Sequence, residues 1–520
     1  MKAPAEQNPG RGGSKIMYFF LGERARDALL STAVICLMIA TMLALFCFPL
    51  RRTFSNVEVN YNEGWNAYRA AMVANGSRLY GKRPQGFGTA TAYPPLSFHL
   101  IGCLGTASTF VAIGRWISLI SLMLTGVFVS LMVRRAGGSR PAAVFSFLLY
   151  EIGIALLKPD RIGMNDPQLM GEALSAAGLY FYVRNPDSKR LLCVSAVLFC
   201  LAGFTKPNLL AFPAAVAIDL LLRSRKAFAT WASAMLLSAG LLTAMVLLVD
   251  GRYFIVHLMG GGGRAYSFWI GWSSYHHYVE KFQSLLVIGT AWSICAFRSR
   301  RVFASAFILS HVLAFLLAGG SGVDLNIFFN ALAATVIACG IAFSDITLVC
   351  AGVRPAGVNL AAALMFAFLF ISIMVFVPGQ LRRDRELIRL LPARENEFKS
   401  AVEFVKTRPG PALCESLLLC YEADKPFEYE AYSVQDLIKT GRIHEDDVLQ
   451  LLRTHHFQTV EVALREDEQK LSEGDLRISL SSDQKEPDKQ RRFSTKFMKE
   501  LLADYQLAMR TSEMAVFCSR

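Results

Sequence analysis

Apolar runs near bilayer-spanning length recur through the first three quarters of this chain, and they constrain what it can fold into. An uncharged run at 28–48 is followed by runs at 94–133, 141–157, 164–183, 190–204, 207–222, 228–248, 282–297, 302–318, 327–343 and 356–377. A helix needs about 20 apolar residues to cross a hydrocarbon core of about 30 Å. Backbone polar groups find no water there, so only helices and closed barrels span. These runs are too long for strands, and they predict an α-helical polytopic membrane protein with about eleven transmembrane helices. The 28–48 run starts too late and extends too far for a cleaved signal, and it reads as a retained anchor.

Composition agrees. Of the 520 residues, 53% are hydrophobic and only 18% charged, less charge than a soluble protein carries. The net charge of +13 is spread over short loops rather than gathered in one patch, which argues against nucleic acid. Eight of the 11 cysteines sit in or next to apolar runs as small hydrophobes. Cys414, Cys420 and Cys518 lie outside them; one disulfide among these three leaves one thiol unpaired.

Charge also orients the chain. The tail at 1–26 and the loops at 184–190, 223–226 and 298–301 are basic, which places them in the cytoplasm. The loops at 51–92, 158–167, 205–208, 250–280 and 319–326 then face outside. For this to hold, the run at 94–133 must cross once, with 94–109 at the interface or re-entering. The expected organisation is a cytoplasmic tail at 1–26, a polytopic module at 27–379 and a soluble extracytoplasmic α/β domain at 380–520. In that last segment, 381–408, 446–454 and 494–505 read as helices, and 411–419, 459–464 and 514–518 as strands.

The external loops carry the polar chemistry. Glu63 stands in Asn60-Tyr61-Asn62-Glu63-Gly64-Trp65. A general base is a carboxylate within hydrogen-bond reach of the group it activates; a solvated loop acid or helix-start residue is the simpler reading. The segment Arg161-Ile162-Gly163-Met164-Asn165-Asp166-Pro167-Gln168 places a carboxylate at a helix start. Lys206, in Thr205-Lys206-Pro207-Asn208, is a cation on the external side, against the positive-inside bias. That raises the case for a phosphate or carboxylate partner, with snorkelling to headgroups as the simpler reading. Arg264 follows the glycines at 260–263, in a segment dense in aromatics. His276, His277 and Glu280 lack the further ligand spacing of a metal site. Asp324 and Asn326 close a glycine-rich loop, where Asp324 also suits a helix cap. Glu151 and Glu172 lie inside apolar runs, where ionisable groups are costly and usually functional.

Taken in order, the acid after the first span, Tyr93-Pro94-Pro95-Leu96-Ser97, Asn165-Asp166-Pro167, Gly203-Phe204-Thr205-Lys206-Pro207-Asn208 and the soluble tail resemble the GT-C glycosyltransferases. The likeness is to the bacterial group similar to protein O-mannosyltransferases and the lipid A aminoarabinose transferase. It covers most of 28–380 and, more loosely, the tail. The resemblance implies a polyprenyl-phosphate sugar donor, an envelope lipid, glycan or protein acceptor, and an inverting displacement at the outer face of the plasma (bacterial inner) membrane. It implies Glu63 as base and Asp166 as second acid, orienting substrate or helping to hold a divalent metal ion. Lys206 and Arg264, with Lys82 or Arg83, would meet the donor phosphate; Tyr93 and His99 would line the lipid side. Asn62, Trp65, Arg161, Asn165, Gln168, Asn208, Asp324 and Asn326 complete the expected substrate contacts. Many relatives carry an acidic pair in the first loop, and here Asn62 stands where Asp is common. Two other classes fit many spans: a lipid-linked-sugar flippase or secondary transporter, and a non-catalytic scaffold with an external binding domain. A transporter would place ionisable groups at the midplane and show inverted repeats, whereas here the polar groups crowd one face.

Overall fold

The computed structural model describes residues 12–82, 87–260, 265–351, 368–482 and 492–520. Helices dominate. The first, α1 (Gly12–Thr53), is followed by α2 (Asn62–Ala74), α3 (Leu96–Leu104), α4 (Phe110–Arg135), α5 (Arg140–Leu157), α6 (Gln168–Arg184), α7 (Lys189–Gly203), α8 (Ala211–Arg223) and α9 (Arg225–Val249). Then come α10 (Phe254–Gly260), α11 (Phe268–Ala296), α12 (Arg301–Ala318) and α13 (Phe329–Ala351). Among the described residues six segments are long and apolar enough to cross a membrane: Thr32–Thr53, Phe110–Arg135, Arg140–Leu157, Arg225–Val249, Arg301–Ala318 and Leu325–Asp345. The shorter α6, α7 and α8 pack among them. The run at 356–377 lies partly outside the described residues.

The run at 94–133 resolves into two unequal helices. At about 1.5 Å per residue, the nine residues of α3 reach only about 14 Å, whereas α4 has 26 residues and is long enough to span alone. Three basic turns start helices in the same way. Ser139, Ser188 and Ser224 each accept a hydrogen bond from the backbone N–H three residues on, and Pro141 sits in the first turn of α5. Such caps satisfy donors that a helix leaves orphaned at its start.

Burial separates centre from rim. The Leu325–Asp345 segment is 94% buried and runs through the middle, while Arg225–Val249 is 6% buried. The outward Leu236, Leu237 and Leu248 of α9 suit a helix facing acyl chains, where apolar exposure costs nothing.

Beyond 376 the chain builds a sheet. Helix α14 (Val377–Lys406) leads into β1 (Ala412–Cys414), α15 (Leu417–Glu422), α16 (Ala431–Lys439), α17 (Glu445–Arg453), β2 (Thr459–Ala463), α18 (Glu473–Ser481), α19 (Thr495–Asp504), β3 (Tyr505–Arg510) and β4 (Met514–Ser519). The strand order is β1-β2-β4-β3, with β1 and β2 parallel and the other pairs antiparallel. The strand expected at 411–419 is shorter. Only Ala412–Cys414 pairs; Ser416 then gives its N–H to Glu461 at 2.8 Å, and α15 begins. Cys414 and Cys420 form a disulfide across that turn, leaving Cys518 free.

This sheet-bearing part rests on the first loop. A Cβ on Gly64 would stand 2.2 Å from the backbone nitrogen of Leu418, so only glycine lets α2 and α15 approach. Glu58 accepts from the Ser416 hydroxyl at 2.5 Å and the Leu418 N–H at 3.1 Å. Arg492 lies over the Tyr61 ring at 4.1 Å.

Candidate active site

A cavity of about 420 Å³ opens at one end of the helix bundle, where the loops before α6, between α7 and α8, and after α12 meet the first loop. Eight of the expected substrate contacts line it: Asn62, Tyr93, Arg161, Gln168, Lys206, Asn208, Asp324 and Asn326. Positions spread over more than 260 residues of sequence are thus brought to one concave surface.

Its electrostatics centre on Arg161, in a 3-10 turn over Pro159–Arg161. The Arg161 guanidinium donates to Asp166 Oδ2 at 3.1 Å and to Asp324 Oδ2 at 2.8 Å. Lys206 Nζ stands 3.3 Å from Asp166 Oδ1 and 4.7 Å from the centre of the Tyr93 ring. Lys158 Nζ reaches Asp324 at 3.1 Å and Asp160 at 3.4 Å. Asp166 also accepts the Gln168 N–H at 2.8 Å, so it caps the start of α6 as its place before Pro167 predicts. Burial pushes the Asp166 carboxyl up, but Lys206 and Arg161 outweigh it and hold it below its ordinary value. For Asp324 the same contest, against Arg161 and Lys158, also ends below the ordinary value. The two differ in access. The Asp166 side chain is 3% exposed and that of Asp324 30%.

Glu63, expected as the base, has a different place. It is 0% exposed and does not line the cavity. Arg115 of α4 grips it with both arms, Nε to Oε1 at 2.8 Å and Nη2 to Oε2 at 2.6 Å. The Val59 N–H donates to Oε2 at 2.8 Å and the Asn165 N–H to Oε1 at 3.0 Å. Burial raises the carboxyl, Arg115 and these donors lower it, and the net direction is down. Four donors on two oxygens leave no lone pair aimed at a substrate. Glu63 ties the first loop to the bundle, and its neighbour Asn62 is the residue that faces the cavity.

Arg115 is the single charge breaking the 94–133 run, and nothing in its local sequence marks it as the partner of Glu63. Its remaining N–H groups go to the carbonyls of Arg52, Ser55 and Val57. Gly114 belongs to the same joint, because a Cβ there would stand 1.9 Å from Asn165 Oδ1.

Three more expected contacts fall behind the cavity wall. Trp65 packs edge-on to Tyr93 at 5.3 Å, supporting that ring from behind. Asn165 accepts from Asn66 through its carbonyl at 2.6 Å. His99 bonds Asp250 at 2.9 Å instead of reaching the cavity. Arg83, Arg264 and the glycines at 261–263 lie outside the described residues, and Lys82 is exposed and does not line the cavity. His276 and His277 lie 3.8 Å from Glu280 on the exposed face of α11.

The two intramembrane acids part ways. Glu172 accepts from Gln168 Nε2 at 2.8 Å and Asn330 Nδ2 at 2.9 Å, so a polar chain runs from the cavity wall into the bundle. Both oxygens of Glu151 are buried without a hydrogen-bond partner among the described residues. Among those residues no three His, Cys, Asp or Glu side chains gather as metal ligands. Asp166 and Asp324 each already face two cations, so this donor set does not suit a divalent ion.

The fold is similar to those of solved structures of ArnT and of an archaeal oligosaccharyltransferase. ArnT from Cupriavidus metallidurans in the apo state is 14% identical and superposes with a TM-score of 0.53, covering 94% of this chain and 98% of that one. ArnT bound to undecaprenyl phosphate is 13% identical with a TM-score of 0.52 and the same coverage. The Archaeoglobus fulgidus oligosaccharyltransferase tethered with an acceptor peptide is 12% identical with a TM-score of 0.51, covering 87% of this chain and 72% of that one. No protein-family model and no curated protein sequence matches the chain.

Proposed function

We propose that this protein is a membrane glycosyltransferase that moves a sugar from a polyprenyl-phosphate donor to an envelope lipid, glycan or protein. In this reading the cavity and residues 380–520 lie outside the bacterial inner membrane, and the N-terminus lies in the cytoplasm. One observation carries the proposal: Lys206 and Arg161 converge on a cavity at one end of a GT-C bundle, each held by a carboxylate that a phosphate can displace. The fold and the basic loops at the opposite helix ends support it.

The chemistry follows from the charges. A phosphate ester entering the cavity competes for the N–H groups of Lys206 and Arg161, which then stabilise the negative charge that grows on the leaving phosphate. As Arg161 turns to phosphate, Asp324 loses part of what keeps it a weak base. Asp324 is the more accessible carboxylate of the site, and it takes the proton from the acceptor hydroxyl or amine. The acceptor attacks the anomeric carbon opposite the departing phosphate, so the configuration inverts. Asp166 acts as positioning residue for Lys206 and Arg161.

The test is sugar transfer by the full chain in lipid, using defined polyprenyl-phosphate donors, with the product anomer read by NMR. Transfer with inversion, strongly reduced in Lys206→Met, is the expected result. Movement of the donor across the bilayer without transfer overturns the proposal.

A further inference from the structure

The helices that carry the cavity above also close a second one at their far ends. It has a volume of about 430 Å³ and is lined by Arg135, Arg223, Arg298, Arg300 and Arg301, with Asp219 as the one carboxylate. Helix α12 links the two ends. Leu317 lines the first cavity and Val302 the second, and its 18 residues reach about 27 Å at 1.5 Å per residue. Helix α6 does the same with Gln168 and Tyr182. The second cavity therefore sits at the opposite end of the helix bundle.

The charge here is not used up internally. Arg223 pairs with Asp187 at 2.8 Å, while Arg300 and Arg301 lie 3.8 Å from Asp345 and Asp219. Asp219 also accepts the Tyr182 hydroxyl. Among the described residues Arg135 and Arg298 form no ion pair. A topological bias requires basic loops but not their convergence: arginines from the end of α4, the end of α8 and the α11–α12 turn surround one concave space. Guanidinium forks match phosphate oxygens two at a time. Basic pockets between helices at the membrane surface take anionic headgroups in this way. Leu222 lines the same cavity and is 65% exposed, so the phosphate site borders an apolar surface suited to an acyl chain.

We propose that this cavity is a binding site for a phosphate ester, occupied by the headgroup of an anionic phospholipid. It is separate from the proposed transfer site and does not depend on that reading.

The full-length protein in mild detergent is titrated with phosphatidylglycerol, phosphatidylcholine and glycerol 3-phosphate, and bound lipid is counted by native mass spectrometry. The expected result is at least tenfold preference for phosphatidylglycerol over phosphatidylcholine, weakening with salt. The double variant Arg135→Gln/Arg298→Gln should lose at least tenfold in that binding. Both residues lack ion pairs, and an unchanged unfolding midpoint verifies that the variant is folded; should it unfold, Arg298→Gln alone is measured. Equal retention by parent and variant, or equal binding of the two lipids, overturns the proposal. Competition by micromolar glycerol 3-phosphate keeps the phosphate site and overturns the lipid as its occupant.

Discussion

Arg115 holds both carboxylate oxygens of Glu63, at 2.8 and 2.6 Å, and neither side chain is more than 1% exposed. One comes from the apolar run of α4, the other from the first turn of α2. The pair locks the first loop onto the bundle, with the donors of Asn165 and Val59 completing the joint.

Breaking this pair from one side leaves an uncompensated buried charge. Arg115→Met should cost roughly 3–5 kcal/mol, read as a lower unfolding midpoint in detergent. Glu63→Gln should likewise lower stability, and turnover should fall only with the folded fraction. Full stability with lost turnover would instead return Glu63 to the role of base.

Lys206→Met removes the cation beside Tyr93. If Lys206 stabilises the leaving phosphate, transfer should fall about 10²–10³-fold. Lys206→Arg should restore part of it, since the charge returns on a different geometry. Rates at saturating donor separate this from weakened binding.

Asp324→Asn and Asp166→Asn should differ. The asparagine at 324 removes the more accessible carboxylate, the base, and should reduce kcat across all pH values. At 166 it loosens Lys206 and Arg161 and should mainly raise KM for the donor. The Asp166 carboxyl lies below its ordinary value of 3.8 when folded. The stability it contributes is therefore fully present above 3.8 and is lost as pH falls through the lower folded value. Unfolding midpoints below pH 4 should drop less in Asp166→Asn than in the parent.

Glu461 titrates in the other direction. It is buried beside Glu415 and Glu58, and burial first, then these neighbours, push its carboxyl up from 4.5 to about 8. The folded form binds a proton that the unfolded form has already released, so stability falls as pH rises from 4.5 to about 8. Glu461→Gln should flatten that slope, seen as a smaller midpoint change between pH 5 and pH 8.

The disulfide between Cys414 and Cys420 closes a short loop, with a sequence separation of 6. Removing such a loop constraint costs about 2 kcal/mol. Cys414→Ser/Cys420→Ser should lower the unfolding midpoint of the sheet-bearing part, and reduction of the parent should have the same effect.

The sequence by itself determined the class of architecture. Segments too apolar to be solvated must cross a bilayer as helices, and basic turns separate them, so α5, α7, α9 and α12 fall close to the runs at 141–157, 190–204, 228–248 and 302–318. Polar loops between those runs named most of the cavity wall, because a polar side chain at a helix end stays at the surface. Tertiary structure decided which of them meet. Asn62 and Glu63 are adjacent in the chain, yet helical rotation turns one to the cavity and the other to Arg115. No local pattern pairs Glu63 with a residue 52 positions away. The convergence of five arginines at the far ends of α4, α8 and α12 was equally hidden. Hydropathy and charge are properties of single segments, whereas a site is a property of the distances between them.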